Sequence, residues 1–133
     1  MIRASAAIVA GLLIGAAVIA LGESAGHALF PPPAGLDPRD SASMRAIVRD
    51  LPLGALIAVL LAWAAGVCAG AAAARWIARA GAWPAYVVGA ILFAMAAWTM
   101  ALIAHPWWMW AGAVVVMAAA AFAATRLPHK RSD

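Results

Sequence analysis

The sequence predicts an all-α integral membrane protein, a bundle of four transmembrane helices that forms one domain over residues 1–133. Of its 133 residues, 68% are hydrophobic and 11% are charged, whereas soluble domains are nearly half apolar and about a quarter charged. Its uncharged runs provide four segments of the roughly 20 residues that a helix needs to cross a bilayer. These observations exclude a water-soluble globular domain. The residues outside the four helices suffice for loops and chain ends but not for a second domain.

The first helix is expected over about 4–26, because no charged residue occurs between Arg3 and Glu23. A cleaved signal peptide is the alternative interpretation, since Arg3 gives a basic start and Ala28 could follow a small-residue cleavage site. The apolar run is longer than the 7 to 15 residues typical of such peptides, and its glycines have helix-packing spacing. These two features favour a retained helix.

The first outer loop, residues 27–51, carries most of the polarity. The run Phe30-Pro31-Pro32-Pro33 predicts a stiff extended piece, because proline fixes its own backbone and restricts the preceding residue. Asp40 or Ser41 is expected to cap a short amphipathic helix that lies flat on the membrane surface. Its apolar residues fall at i, i+3, i+4 and i+7 and lie opposite Arg45 and Arg49; they are Met44, Ile47, Val48 and Leu51.

Three further transmembrane helices follow, over about 52–74, 83–104 and 107–126. The uncharged stretch from Ala80 to Thr125 is too long for one crossing and suits two. His105-Pro106 divides that stretch where a tight turn is needed. The last two helices are therefore expected to form a hairpin.

Basic residues predict the orientation, since they are enriched on the cytoplasmic side of membrane proteins. With the termini inside, the cytoplasmic side receives Arg3, Arg75, Arg79, Arg126, Lys130 and Arg131, and the outer side receives Arg39, Arg45 and Arg49. Aromatic residues then form a belt at each interface, with Trp107, Trp108 and Trp110 outside and Trp76, Trp83 and Tyr86 inside. Both termini are predicted to be cytoplasmic.

Small residues predict how the helices pack, because close backbone approach drives helix association in lipid. In the first helix, Gly11, Gly15, Gly22 and Gly26 share one face. In the second helix, every fourth residue is small; the row is Gly54, Ala58, Ala62, Gly66, Gly70 and Ala74. These two faces are expected to pack together.

Polar residues are expected to converge at the outer boundary. Glu23 and His27 are four residues apart on one helix face, and His105 lies in the turn at the same membrane side. Asp37 and Asp40 sit in the outer loop, so two imidazoles and three carboxylates form a candidate site for a divalent metal. The alternative is that these side chains cap helices and satisfy turns.

Three sequence segments carry a family resemblance: Glu23-Ser24-Ala25-Gly26-His27, the run from Phe30 to Asp37, and His105-Pro106-Trp107-Trp108. Together they resemble a group of small bacterial four-helix membrane proteins to which no activity is assigned. The resemblance spans nearly the whole chain. It implies a location in the bacterial inner membrane.

The sequence favours a structural or accessory membrane protein whose working surface is the outer loop. An oligomeric small-solute or ion transporter is the first alternative, and a metal-binding protein or enzyme is the second, although no catalytic residue can be named. The expected partners are the lipid bilayer and either further copies of the chain or a larger membrane protein. Nucleic acid is not an expected partner, since the basic residues lie at the ends of apolar runs rather than in a stripe.

Overall fold

The fold is an all-helical bundle with four long apolar helices, and this confirms the predicted fold class. The computed structural model describes residues 2–31, 34–35, 40–103 and 105–128. Within this part of the chain the helices are α1 (Ile2–Leu29), α2 (Ser41–Asp50), α3 (Leu53–Ala78), α4 (Trp83–Leu102) and α5 (Trp107–Arg126). Each of the four long helices is long and apolar enough to cross a membrane.

The long helices alternate in direction, and α3 contacts each of the other three. Gly11 of α1 lies beside Gly70 of α3 while Gly22 lies beside Ala62, so these two helices are antiparallel. Helix α4 also contacts α1, α3 and α5. Helices α3 and α4 therefore lie at the centre of the bundle.

Glycines line the contact between α1 and α3. A Cβ atom added to Gly11 would lie 2.6 Å from the carbonyl oxygen of Gly70, and one added to Gly15 would lie 2.9 Å from that of Gly66. Real Cβ atoms do not approach heavy atoms so closely, so a side chain at either position would force the helices apart. Further along, Gly22 faces Ala62, and the Phe30 ring covers Gly54.

Apolar side chains fill the space between α3, α4 and α5. The largest fully buried ones are three methionines, Met100, Met109 and Met117, together with Val67 and Val88. Methionine is flexible and fills irregular gaps in a core well. The interior is consequently apolar along the whole length of the last two helices.

Two helices extend beyond the bounds expected from the sequence. Helix α1 continues past residue 26 to Leu29, and the Phe30 amide still donates to the Gly26 carbonyl, 2.8 Å away. It ends only where Pro31 restricts the backbone before it. Helix α3 continues past residue 74 to Ala78, and Arg79 in a left-handed conformation ends it.

Arginines at one end of the bundle tie helix ends together. Arg3 Nε donates to the Ile77 carbonyl at 2.8 Å, which joins α1 to α3. Arg75 Nη1 donates to the Leu127 carbonyl at 2.9 Å, just past the end of α5. A positive charge at a helix C-terminus also interacts favourably with the helix dipole. We call this end, defined by Arg3, Arg75, Arg79 and Arg126, the basic end.

Candidate functional site

The opposite end of the bundle carries the three acidic residues that the structure describes, Glu23, Asp40 and Asp50, together with His27 and His105. We call this the polar end. His27 is exposed in the last turns of α1, and His105 lies between α4 and α5. Asp37, the fifth member of the predicted metal site, lies outside the described residues.

Asp40 is the cap of α2. Its side-chain Oδ2 accepts a hydrogen bond from the Ser43 amide at 2.8 Å. This bond to the Ser43 backbone is the main reason that the pKa of the Asp40 carboxyl is below its usual value, because it stabilises the ionised form. The sequence left two roles open for Asp40, a metal ligand or a helix cap, and in the structure Asp40 caps α2.

His105 is held by the turn in which it lies. Its Nδ1 makes a short contact with the carbonyl oxygen of Ile103, two residues earlier. One ring nitrogen is thereby engaged within the chain. Among the described residues, His, Cys, Asp and Glu side chains do not form any group of three that could hold a metal ion. With Asp37 outside that part of the chain, the five-residue metal site stays a prediction.

Glu23 pairs with a tryptophan of the neighbouring helix. It lies on α1 six residues before Leu29, about 9 Å along the helix axis from its end. Its Oε1 accepts a hydrogen bond of 2.8 Å from Nε1 of Trp63, and Trp63 is almost completely buried in α3. The sequence analysis grouped Glu23 with the histidines and did not identify Trp63 as its partner, so this pair was not predicted.

A groove of about 290 Å³ lies beside this pair, between α1 and α4, with α3 as its floor. We call it the Glu23 groove. Its lining consists of one carboxylate, one indole, one hydroxyl and six apolar side chains: Glu23, Trp63, Thr99, Ala16, Ile19, Ala20, Leu92, Met95 and Ala96. A carboxylate within a membrane-spanning helix is expensive to hold and is usually functional. The groove is therefore a candidate site in the described part of the bundle.

Several residues on the rim of the groove are exposed on the outer surface of the bundle. They are Ala16, Ala20, Met95 and Thr99. The Thr99 hydroxyl donates to the Met95 carbonyl at 3.0 Å. Because the rim is exposed, the groove is open on the outer surface of the bundle.

Tryptophans flank the bundle at both ends. Trp76, Trp83 and Tyr86 are about half exposed near the basic end, and Trp107 is 81% exposed near the polar end. Trp108 differs, because it packs against the core. An exposed aromatic ring at each end is typical of residues at membrane interfaces.

Comparisons with known proteins identify no relative of this chain. The chain matches no protein-family model, no curated protein and no solved structure. Its function is therefore inferred from its own residues and their contacts.

Proposed function

We propose that the chain is a multi-pass protein of a bacterial inner membrane with a structural or accessory role, and that the polar end is its working surface. Both termini lie in the cytoplasm in this proposal. Four helices able to cross a membrane and the basic residues at their ends support it.

The difference between the two ends is the observation that carries the proposal. At the basic end, Arg3 and Arg75 use their guanidinium groups to hold neighbouring helices together. At the polar end, α2 directs Arg45 and Arg49 outward while Ile47 and Val48 are buried. A surface with exposed charges of both signs suits a partner at the membrane boundary.

The apolar interior favours an accessory role over transport through a single chain. Met109, Met117 and Val88 fill the space that a polar path between α3, α4 and α5 would occupy. Solutes and ions cross membranes along polar or water-filled routes. Ion or solute flux through liposomes that contain only this chain would contradict the accessory role.

Orientation can be measured with single cysteines at Ala34 and Ala80 in a Cys68→Ala background. Ala34 lies in the loop before α2 and Ala80 lies in the turn between α3 and α4, and both are exposed. We expect an impermeant thiol reagent to label position 34 from outside intact cells and position 80 only after the membrane is opened. Labelling of both positions from the same side would contradict the topology.

The working surface can be tested by placing a photo-cross-linking amino acid at Ala42 on α2, with Ala80 at the basic end as the matched position. Both residues are exposed. In cells, we expect a discrete adduct from position 42, and we expect it to be lost when Arg45→Glu and Arg49→Glu are added. Equal adducts from positions 42 and 80, or no adduct from position 42, would contradict the proposal.

A further inference from the structure

The Glu23 groove changes in polarity along its length. Glu23 and Thr99 lie at the end of the groove nearer the polar end of the bundle. Ala16 and Leu92 lie seven residues earlier on their helices, about 10 Å deeper. The lining therefore runs from polar near the membrane boundary to apolar toward the centre, which matches a molecule with a polar head and a short apolar chain.

Glu23 makes one hydrogen bond in this groove. Its Oε1 accepts from Trp63, and no further hydrogen bond or ion pair of Glu23 is formed within the residues that the structure describes. An ionised carboxylate accepts several hydrogen bonds and is stabilised at low dielectric by a positive partner. A cationic head with N–H groups would supply both the additional hydrogen bonds and the positive charge.

The indole of Trp63 narrows the kind of cation. Its N–H edge points to the Glu23 carboxylate, so the indole edge, which is positive, lies beside the place where the cation would sit. Attraction to the negative face of the ring is not the basis of recognition here. The basis of recognition is instead a set of hydrogen bonds from the cation to the Glu23 carboxylate, and these require N–H donors on the cation.

We propose that the Glu23 groove binds a free, single-chain amphiphilic primary amine dissolved in the bilayer, rather than a lipid head group, with its ammonium group on Glu23 and its alkyl chain along Ala20, Ala16 and Leu92. The groove's volume of about 290 Å³ is near the lower end of known ligand pockets. It therefore suits a short chain. This site lies between α1 and α4, whereas the cross-linking experiment above tests α2, so either assignment can fail alone.

Octylammonium is the probe, added to the full chain in phosphatidylcholine nanodiscs, with empty nanodiscs as the background. We expect saturable binding of one octylammonium per chain. Loss of the charged hydrogen bond in Glu23→Gln is expected to weaken binding about ten- to a hundredfold. Glutamine keeps an oxygen that can accept from Trp63, so α1 and α3 remain joined, and an unchanged Tm would show this.

Matched controls separate charge, shape and fold. Ser24→Ala changes the next residue, which does not line the groove, and should leave binding unchanged. Ala20→Leu keeps the carboxylate but fills the groove and should abolish binding. Octanol, which lacks the charge, and octyltrimethylammonium, which lacks N–H donors, should both bind much more weakly than octylammonium.

Several results would overturn the proposal. These are equal affinity in Glu23→Gln, equal binding of octanol, or no saturable binding above empty nanodiscs. Displacement of octylammonium by phosphatidylethanolamine in the nanodisc would assign the site to a lipid head group and overturn the free amine as occupant. Failure of phosphatidylethanolamine to compete would support the amine.

Discussion

Replacing Gly70 with leucine is expected to separate α1 from α3 and to lower the free energy of unfolding by about 3 kcal/mol or more. A Cβ at this position would collide with the Gly11 carbonyl oxygen and lie 3.1 Å from the Gly15 Cα. Both obstacles are backbone atoms, which cannot turn aside as a side chain can. The whole contact between the two helices would have to open.

Gly26→Ala is the control, since Gly26 lies on the face of α1 that contacts α3 but at a point where the two helices are farther apart. A Cβ there would be 3.7 Å from the Ala58 Cβ, which is ordinary contact. Unfolding in mixed detergent micelles, followed by circular dichroism, should place Gly26→Ala near the parent protein and Gly70→Leu far below it. Similar stability of the two variants would show that the close approach of the helices does not stabilise the bundle.

Breaking the pair of Glu23 and Trp63 is expected to have the next largest effect. In Glu23→Leu, the buried N–H of Trp63 loses its acceptor, which costs about 1–3 kcal/mol for an unsatisfied polar group. In Trp63→Phe, the carboxylate loses its donor. Because both variants remove the same bond, the double variant should be less destabilised than the sum of the single variants.

Trp98→Phe is the control for Trp63→Phe, because it makes the same change of side chain at another position. Trp98 is 68% exposed, so the same change of side chain should alter the free energy of unfolding little. The parent protein, the three variants of the cycle and this control can be compared by unfolding under one set of micelle conditions. Simple additivity of Glu23→Leu and Trp63→Phe would mean that the hydrogen bond does not contribute to stability.

The fold class could be predicted from sequence because lipid imposes a strong constraint. A chain that crosses a bilayer must satisfy its backbone internally, so an uncharged run of about 20 residues becomes a helix. Helix ends were less predictable. Arg75 marked a boundary by its charge, yet α3 continues to Ala78, since an arginine at the end of a helix can bond to neighbouring carbonyls.

The candidate site was less predictable than the fold, because it depends on the register between helices distant in sequence. Glu23 and His27 share a helix face, and that spacing directed attention to histidine partners. An antiparallel alignment of Gly15 with Gly66 would have brought Glu23 toward the first half of α3, where Trp63 carries the N–H donor. One wall of the groove is formed by α4, and the spacing of residues within α1 does not predict that α4 packs beside it.

The antiparallel contact between α1 and α3 has a consequence for biogenesis. Both helices precede α4 in the chain, so their glycine faces can pair before α4 has been synthesised. Glu23 can therefore meet Trp63 while the rest of the protein is still being translated. The groove wall contributed by Leu92 and Met95 arrives afterwards, so the groove is completed only when α4 packs against the paired helices.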